Sequence, residues 1–168
     1  MSDNTTDENK SAEPANASAT DDVTTLDGIL HALYDSISGP AERKRDLRRF
    51  RSLFYADARL IPTRIDAETG AARALTLDVD EFFKMACEHF HVEGFFEREA
   101  ARRVERFGHV THVMSTYESR RAEDEPEPFQ RGVNSIQLFH DGARYFVVTI
   151  FWDFERPDNP LPPEYLPS

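Results

Sequence analysis

The stretch SIQLFHDGARYFVVTIFWDF, Ser135–Phe154, decides the fold. Two strand-like runs flank Asp141-Gly142, a pair favoured in two-residue hairpin loops, so the sequence predicts an antiparallel hairpin with His140 opposite Ala143. In that register Gln137 faces Phe146, Ser135 faces Val148 and Val133 faces Ile150. Paired residues point the same way. One face then carries Val133, Ser135, Gln137, Phe146, Val148, Ile150 and Trp152, and the other carries Asn134, Ile136, Leu138, Tyr145, Val147, Thr149 and Phe151. A strand covered on one side alternates apolar and polar residues, yet only Thr149 and Asp153 interrupt the apolar run from Tyr145 to Phe154; both faces need cover. The run ends at ERPDNPLPPEYLPS. Its prolines cannot continue a sheet, so residues 155–168 are expected to leave as an extended arm anchored by Tyr165 and Leu166.

Upstream, HVTHVMSTYESRR and PFQRGVNSIQLFH read as two further strands joined by polar turns. Val23–Ser38 reads as a helix: Thr25 or Asp27 caps it, Leu26, Ile29, Leu30, Leu33 and Ile37 form its apolar stripe, and Gly39-Pro40 stops it. A second helix is predicted over Ala41–Phe54 and a third over Asp78–His91. Between them lies an extended piece, Ala58–Ile65, closed by the turn-rich DAETG. Intrinsic propensity makes EGFFEREAARRVERFG helical, whereas the strands downstream of it favour a strand there. The order of elements predicts an α+β fold with helices on one face of an antiparallel sheet.

At 168 residues and 39% hydrophobic, the chain accommodates one core, assigned to residues 23–154. Residues 1–22 are acidic and poor in apolar groups, which predicts a disordered tail. A net charge of −11 argues against nucleic acid as the main partner, and the basic run ERKRDLRRFR carries Leu47, Phe50, Leu53 and Phe54 at helical spacing, as a helix with a solvated basic face would. No run reaches the ~18 apolar residues of a membrane span and no secretory start is evident, so no membrane partner is expected and the expected location is cytoplasmic. Cys87 is the sole cysteine and reads as a small buried hydrophobe. Glu88, His89, His91 and Glu93 invite a metal reading, but residues two apart diverge on a helix; no metal or other cofactor is expected.

RFRSLFYADARLIPT, following two helices, and SIQLFHDGARYFVVTIFWD, a closing hairpin ending in Trp, resemble the nuclear transport factor 2-like superfamily, also called SnoaL-like. The resemblance spans Val23–Phe154 and implies that EGFFEREAARRVERFG is a strand. It further implies a cone, in which a curved sheet wraps about three helices around an apolar pocket and the convex side pairs two subunits. Gln137, Phe146, Val148, Ile150 and Trp152 would then bind a ligand, and Tyr145, Val147, Thr149 and Phe151 would meet a second copy of the chain.

Against ketosteroid isomerases of that superfamily, Tyr34 falls where a hydrogen-bond-donating Tyr is kept, but Pro62 and Ser135 fall where the acids belong, which discounts that activity. Epoxide hydrolases need an Asp-Arg-Asp set that has no counterpart here. Similarity to scytalone dehydratases implies Tyr34, Asp35, Tyr55 and His112, or His109 in its place, as catalytic candidates, with a His base and Tyr-held water serving an elimination. Two functions are open to such a chain. One is a pocket protein for a small apolar or aromatic molecule, extending to lyase or isomerase chemistry of the scytalone dehydratase type. The other is a non-catalytic homodimeric adaptor whose pocket is filled by its own Phe side chains, of which the chain has 13. A cavity of roughly 300 Å³ or more with polar groups distinguishes them.

Overall fold

The computed structural model describes residues 22–90 and 92–167. The expected disordered tail lies outside the described residues except for Asp22, whose carboxylate is 3.3 Å from the Arg49 guanidinium; His91 lies outside them too. Helix α1, Leu26–Ile37, is capped by the Thr25 hydroxyl, which accepts from Gly28 N at 3.0 Å. It buries Leu26, Ile29, Leu30, Leu33 and Ile37, as its apolar spacing dictates. Helix α3, Val79–Phe90, starts on a reciprocal cap: Glu81 N donates to Asp78 Oδ1 and Asp78 N to Glu81 Oε2.

The second helix is shorter than predicted. Helix α2 spans only Leu47–Ser52, begun by Asp46, whose carboxylate accepts from Arg48 N and Arg49 N. The preceding residues are not helical because Arg45, 7% exposed, turns inward. Its guanidinium donates to the carbonyls of Ile37, Gly39, Pro40 and Arg43 and lies 5.3 Å from the Phe90 ring. The basic run is therefore not one solvated face.

Six strands form one curved, unclosed sheet: β1 Phe54–Ile65, β2 Ala72–Ala74, β3 Phe96–Phe107, β4 Val110–Arg120, β5 Gln130–His140 and β6 Tyr145–Phe154, in the order β2-β1-β6-β5-β4-β3. The helical propensity of EGFFEREAARRVERFG is overridden by pairing along the length of β4. One pair departs from the antiparallel expectation, since β1 runs parallel to β6.

The closing hairpin corrects the predicted register. His140 pairs with Tyr145, not Ala143, because Asp141 Oδ1 accepts from Ala143 N at 2.7 Å and Arg144 N at 2.8 Å and holds a four-residue loop. A bulge then falls in β6 at Val148: Leu138 pairs with Val147 and Gln137 with Thr149. The inner face, toward the helices, thus carries Asn134, Ile136, Leu138, Val147, Ile150 and Trp152; the outer face carries Ser135, Gln137, Phe139, Phe146, Thr149 and Phe151. Val147, assigned to a subunit contact, is fully enclosed in the core.

After β6 the chain crosses the outer face. Leu161 N donates to Glu155 Oε1, and a short turn, Pro163–Tyr165, sets the Tyr165 carbonyl 2.7 Å from the Thr116 hydroxyl, which donates to it. Tyr165 anchors the arm with its ring beside Arg103; Leu166 stays exposed.

Candidate functional site

Between the helices and the inner sheet face lies a cavity of about 620 Å³. Its walls are aromatic and aliphatic. Phe50 stacks with Phe82 and meets Phe54 and Phe83 at a tilt, Phe82 meets Trp152 at 5.8 Å, and Phe90 stacks on Phe95 at 4.6 Å. The phenylalanines of this region pack on one another as walls, and the space they enclose stays open. Ile150 and Trp152 complete the lining from β6.

Polar groups gather where α1, β3, β4 and β5 meet. The Tyr34 hydroxyl is 2.6 Å from Ser115 Oγ and accepts from Asn134 Nδ2 at 3.1 Å. Ser115 gives its own proton to Glu99 Oε1, so Tyr34 donates to Ser115, and Glu99 in turn pairs with Arg102 at 2.6 Å. This relay commits the one Tyr34 proton. Tyr34 can accept from a ligand but has no hydrogen left to donate. Tyr117 leans across Gly132, where a Cβ would come 2.6 Å from the Tyr117 hydroxyl and 2.3 Å from the Asp153 carbonyl; only glycine permits that approach. Burial, reinforced by the Glu97 charge, raises both tyrosine hydroxyls well above the usual phenol range, so both are neutral.

Glu97 is the carboxylate beside the two tyrosines; Arg64, Glu88, His89, Glu93 and Arg121 also line the cavity. Glu97 Oε2 accepts from Ser119 Oγ at 2.8 Å, and burial pushes the carboxyl up to about 7 against that bond's opposing pull. It lines both the large cavity and a polar groove of about 510 Å³ between α1 and β3.

Of the residues singled out from the sequence, Tyr34, Ile150 and Trp152 share the cavity. Asp35 lines the groove, its carboxylate 2.5 Å from Arg49. Tyr55 stands on the outer face against Phe139 and Phe146. His112 is also outside, its Nε2 2.9 Å from Ser135 Oγ, and His109 lies at the β3–β4 turn against the His140 carbonyl. Gln137 and Phe146 are outer-face residues because of the longer loop and the bulge, and Val148 is the bulged residue. Tyr34 is thus on the opposite side of the sheet from Tyr55 and His112, and these candidates do not share one site. Among the described residues no three His, Cys, Asp or Glu side chains gather for a metal ion, and no helix is long and apolar enough to cross a membrane. Cys87 is half-buried against the core.

Glu97, Asn134, Ser115 and Tyr117 were not singled out from the sequence. Once β3 is a strand, Glu97 and Glu99 share a face at spacing two beside apolar Phe95 and Phe96, a legible sign of an acid turned inward.

No protein-family model matches the chain, and no curated protein sequence does. Solved structures match it in shape. A nuclear transport factor 2-like protein of unknown function from Shewanella baltica superposes with a TM-score of 0.52 at 13% identity, covering 76% of this chain and 89% of that one. The fold is nuclear transport factor 2-like. A protein of unknown function from Mycobacterium tuberculosis gives a TM-score of 0.58 at 12% identity over 81% of this chain and 79% of its own. The β subunit of a putative aromatic-ring-hydroxylating dioxygenase from Novosphingobium aromaticivorans gives 0.56 at 14% identity over 78% and 88%. Identities this low establish the nuclear transport factor 2-like fold and leave function to the site.

Proposed function

We propose that this is a small-molecule pocket protein, enclosing a flat, mainly apolar compound with a polar group at one end. The observation that carries the reading is the open cavity of about 620 Å³, twice the size that separates a ligand pocket from a self-filled cone, with Asn134, Tyr117 and Glu97 at its polar end. Trp152 is the sole Trp and forms part of the wall, so it reports occupancy directly. Titration with 2-naphthol is expected to quench its fluorescence saturably. Ala86→Phe, which fills the cavity from α3, is expected to weaken binding by about tenfold or more through overpacking. Unmodified protein whose Trp152 ignores the probe has no such pocket.

A second reading, compatible with the first, is self-association through the outer face. Tyr55, Phe151 and Val110 are 47%, 45% and 55% exposed there, beside Phe139 and Phe146, a contiguous apolar area of the kind that marks an interface. Phe151→Arg is expected to convert a dimer to a monomer in light scattering, because a charge buried without a partner costs several kcal/mol. A monomeric unmodified protein would sink this reading.

A further inference from the structure

We infer that the polar group of the ligand is a protonated amine and that the Glu97 carboxylate is its counter-charge. The inference rests on the proposed pocket function and names the ligand class of that same cavity.

Glu97 lacks what its neighbours have. Glu99 pairs with Arg102, Glu118 with Arg98 and Arg120, and Asp35 with Arg49, whereas among the described residues no Lys, Arg or His nitrogen lies within 4.0 Å of the Glu97 carboxylate. Its one hydrogen bond, from Ser119, satisfies one oxygen. Glu97 is half-buried, and a carboxylate partly withdrawn from water without a cation is costly; its second oxygen borders an open cavity that can admit one. The walls suit the same guest: Tyr34, Phe90, Phe95, Tyr117 and Trp152 contribute aromatic rings to the lining, a class of side chain that attracts an ammonium group.

The charges around Glu97 leave that role to it. From α1 and β4 it meets Tyr34 and Tyr117, both neutral, and on its own strand Glu99 is held by Ser115 and Arg102. On the groove side Asp35 is held by Arg49, Arg102 lies between Asp27 and Glu99, and Arg120 is tied to Glu118; Arg43 and His31 complete that wall. Around the cavity Arg121 is paired with Glu93, and Arg64, His89 and Glu88 also contribute to the lining. With its carboxyl near 7, Glu97 is largely neutral in mild acid and largely charged in mild base.

The test compares two probes of similar shape, 1-naphthylmethylamine and the uncharged 2-naphthol, by Trp152 quenching. At pH 8.5 the amine, still protonated, is expected to bind about tenfold more tightly than the naphthol, and at pH 5.5 the advantage is expected to shrink to about twofold as Glu97 takes up its proton. In Glu97→Gln the ratio of the two affinities is expected to fall to about one at both pH values. Naphthol binding with no amine preference at pH 8.5, or a preference that survives in Glu97→Gln, overturns the inference and leaves the pocket standing. Failure of both probes removes the pocket reading and this inference together.

Discussion

Arg45→Met is expected to lower the stability of the domain by about 3 kcal/mol. The substitution keeps the apolar stem against Phe90 but withdraws the donors from four carbonyls, those of Ile37, Gly39, Pro40 and Arg43, at a position only 7% exposed. Each buried carbonyl left without a partner costs about 1–3 kcal/mol, reduced where water reaches it. Arg45→Lys is expected to recover only part of the loss, since one ammonium cannot span a planar set of acceptors. Urea unfolding reads both, and an Arg45→Met stability within about 1 kcal/mol of the unmodified protein refutes the assignment. The consequence reaches the cavity. Gly39 exchanges backbone hydrogen bonds of 2.7 and 3.0 Å with Phe95, so the loop that Arg45 holds also fixes the approach of β3, which carries Glu97.

Glu97→Gln is expected to do the opposite, and only in base. The folded carboxyl titrates near 7, above its ordinary 4.5. Between those values the native state keeps a proton that the unfolded chain has released, so stability falls as pH rises through the window and the full cost is present above 7. Gln keeps the acceptor for Ser119 and carries no charge. At pH 5 the variant and the unmodified protein are expected to melt within about 1–2 °C of each other; at pH 8.5 the variant is expected to be about 2 kcal/mol more stable, roughly 4–8 °C in Tm. Equal differences at both pH values would show that the carboxyl is not the cause. The group proposed to select the ligand is thus one the fold would be more stable without, as expected of a residue kept for a ligand.

Much of the frame was legible because it depends on local rules. Thr25 capped α1, the stripe from Leu26 to Ile37 turned inward, and Val79–Phe90 formed a helix behind its acidic first turn. The long apolar run of β6 required cover on both sides and has it on one, from the helices; on the other Phe151 stays exposed, and the Pro163–Tyr165 turn lies over β3 and β4 instead. What failed was set by single side chains acting on backbone. Asp141 lengthened a hairpin loop by hydrogen-bonding Ala143 and Arg144, and with that the predicted partners of Gln137 and Phe146 were lost. Arg45, read as part of a solvated run, folded under the loop it serves. The polar end of the cavity was hidden for a third reason: Tyr34, Ser115, Asn134 and Glu97 come from four elements, and no spacing in the sequence links them.

The bulge at Val148 gives β6 two reading frames. Before it, even-numbered residues such as Phe146 point outward; after it, even-numbered Ile150 and Trp152 point inward. Loss of Val148 itself leaves every other residue of the strand on its present side, since Val147 inward is then succeeded by Thr149 outward. A one-residue loss or gain between Thr149 and Trp152 instead shifts the frame of the residues beyond it and turns Trp152 out of the cavity. Among chains sharing this hairpin, length variation in β6 is therefore tolerable at one position, and alignments that place a gap elsewhere in the strand will match pocket residues of one protein to surface residues of another.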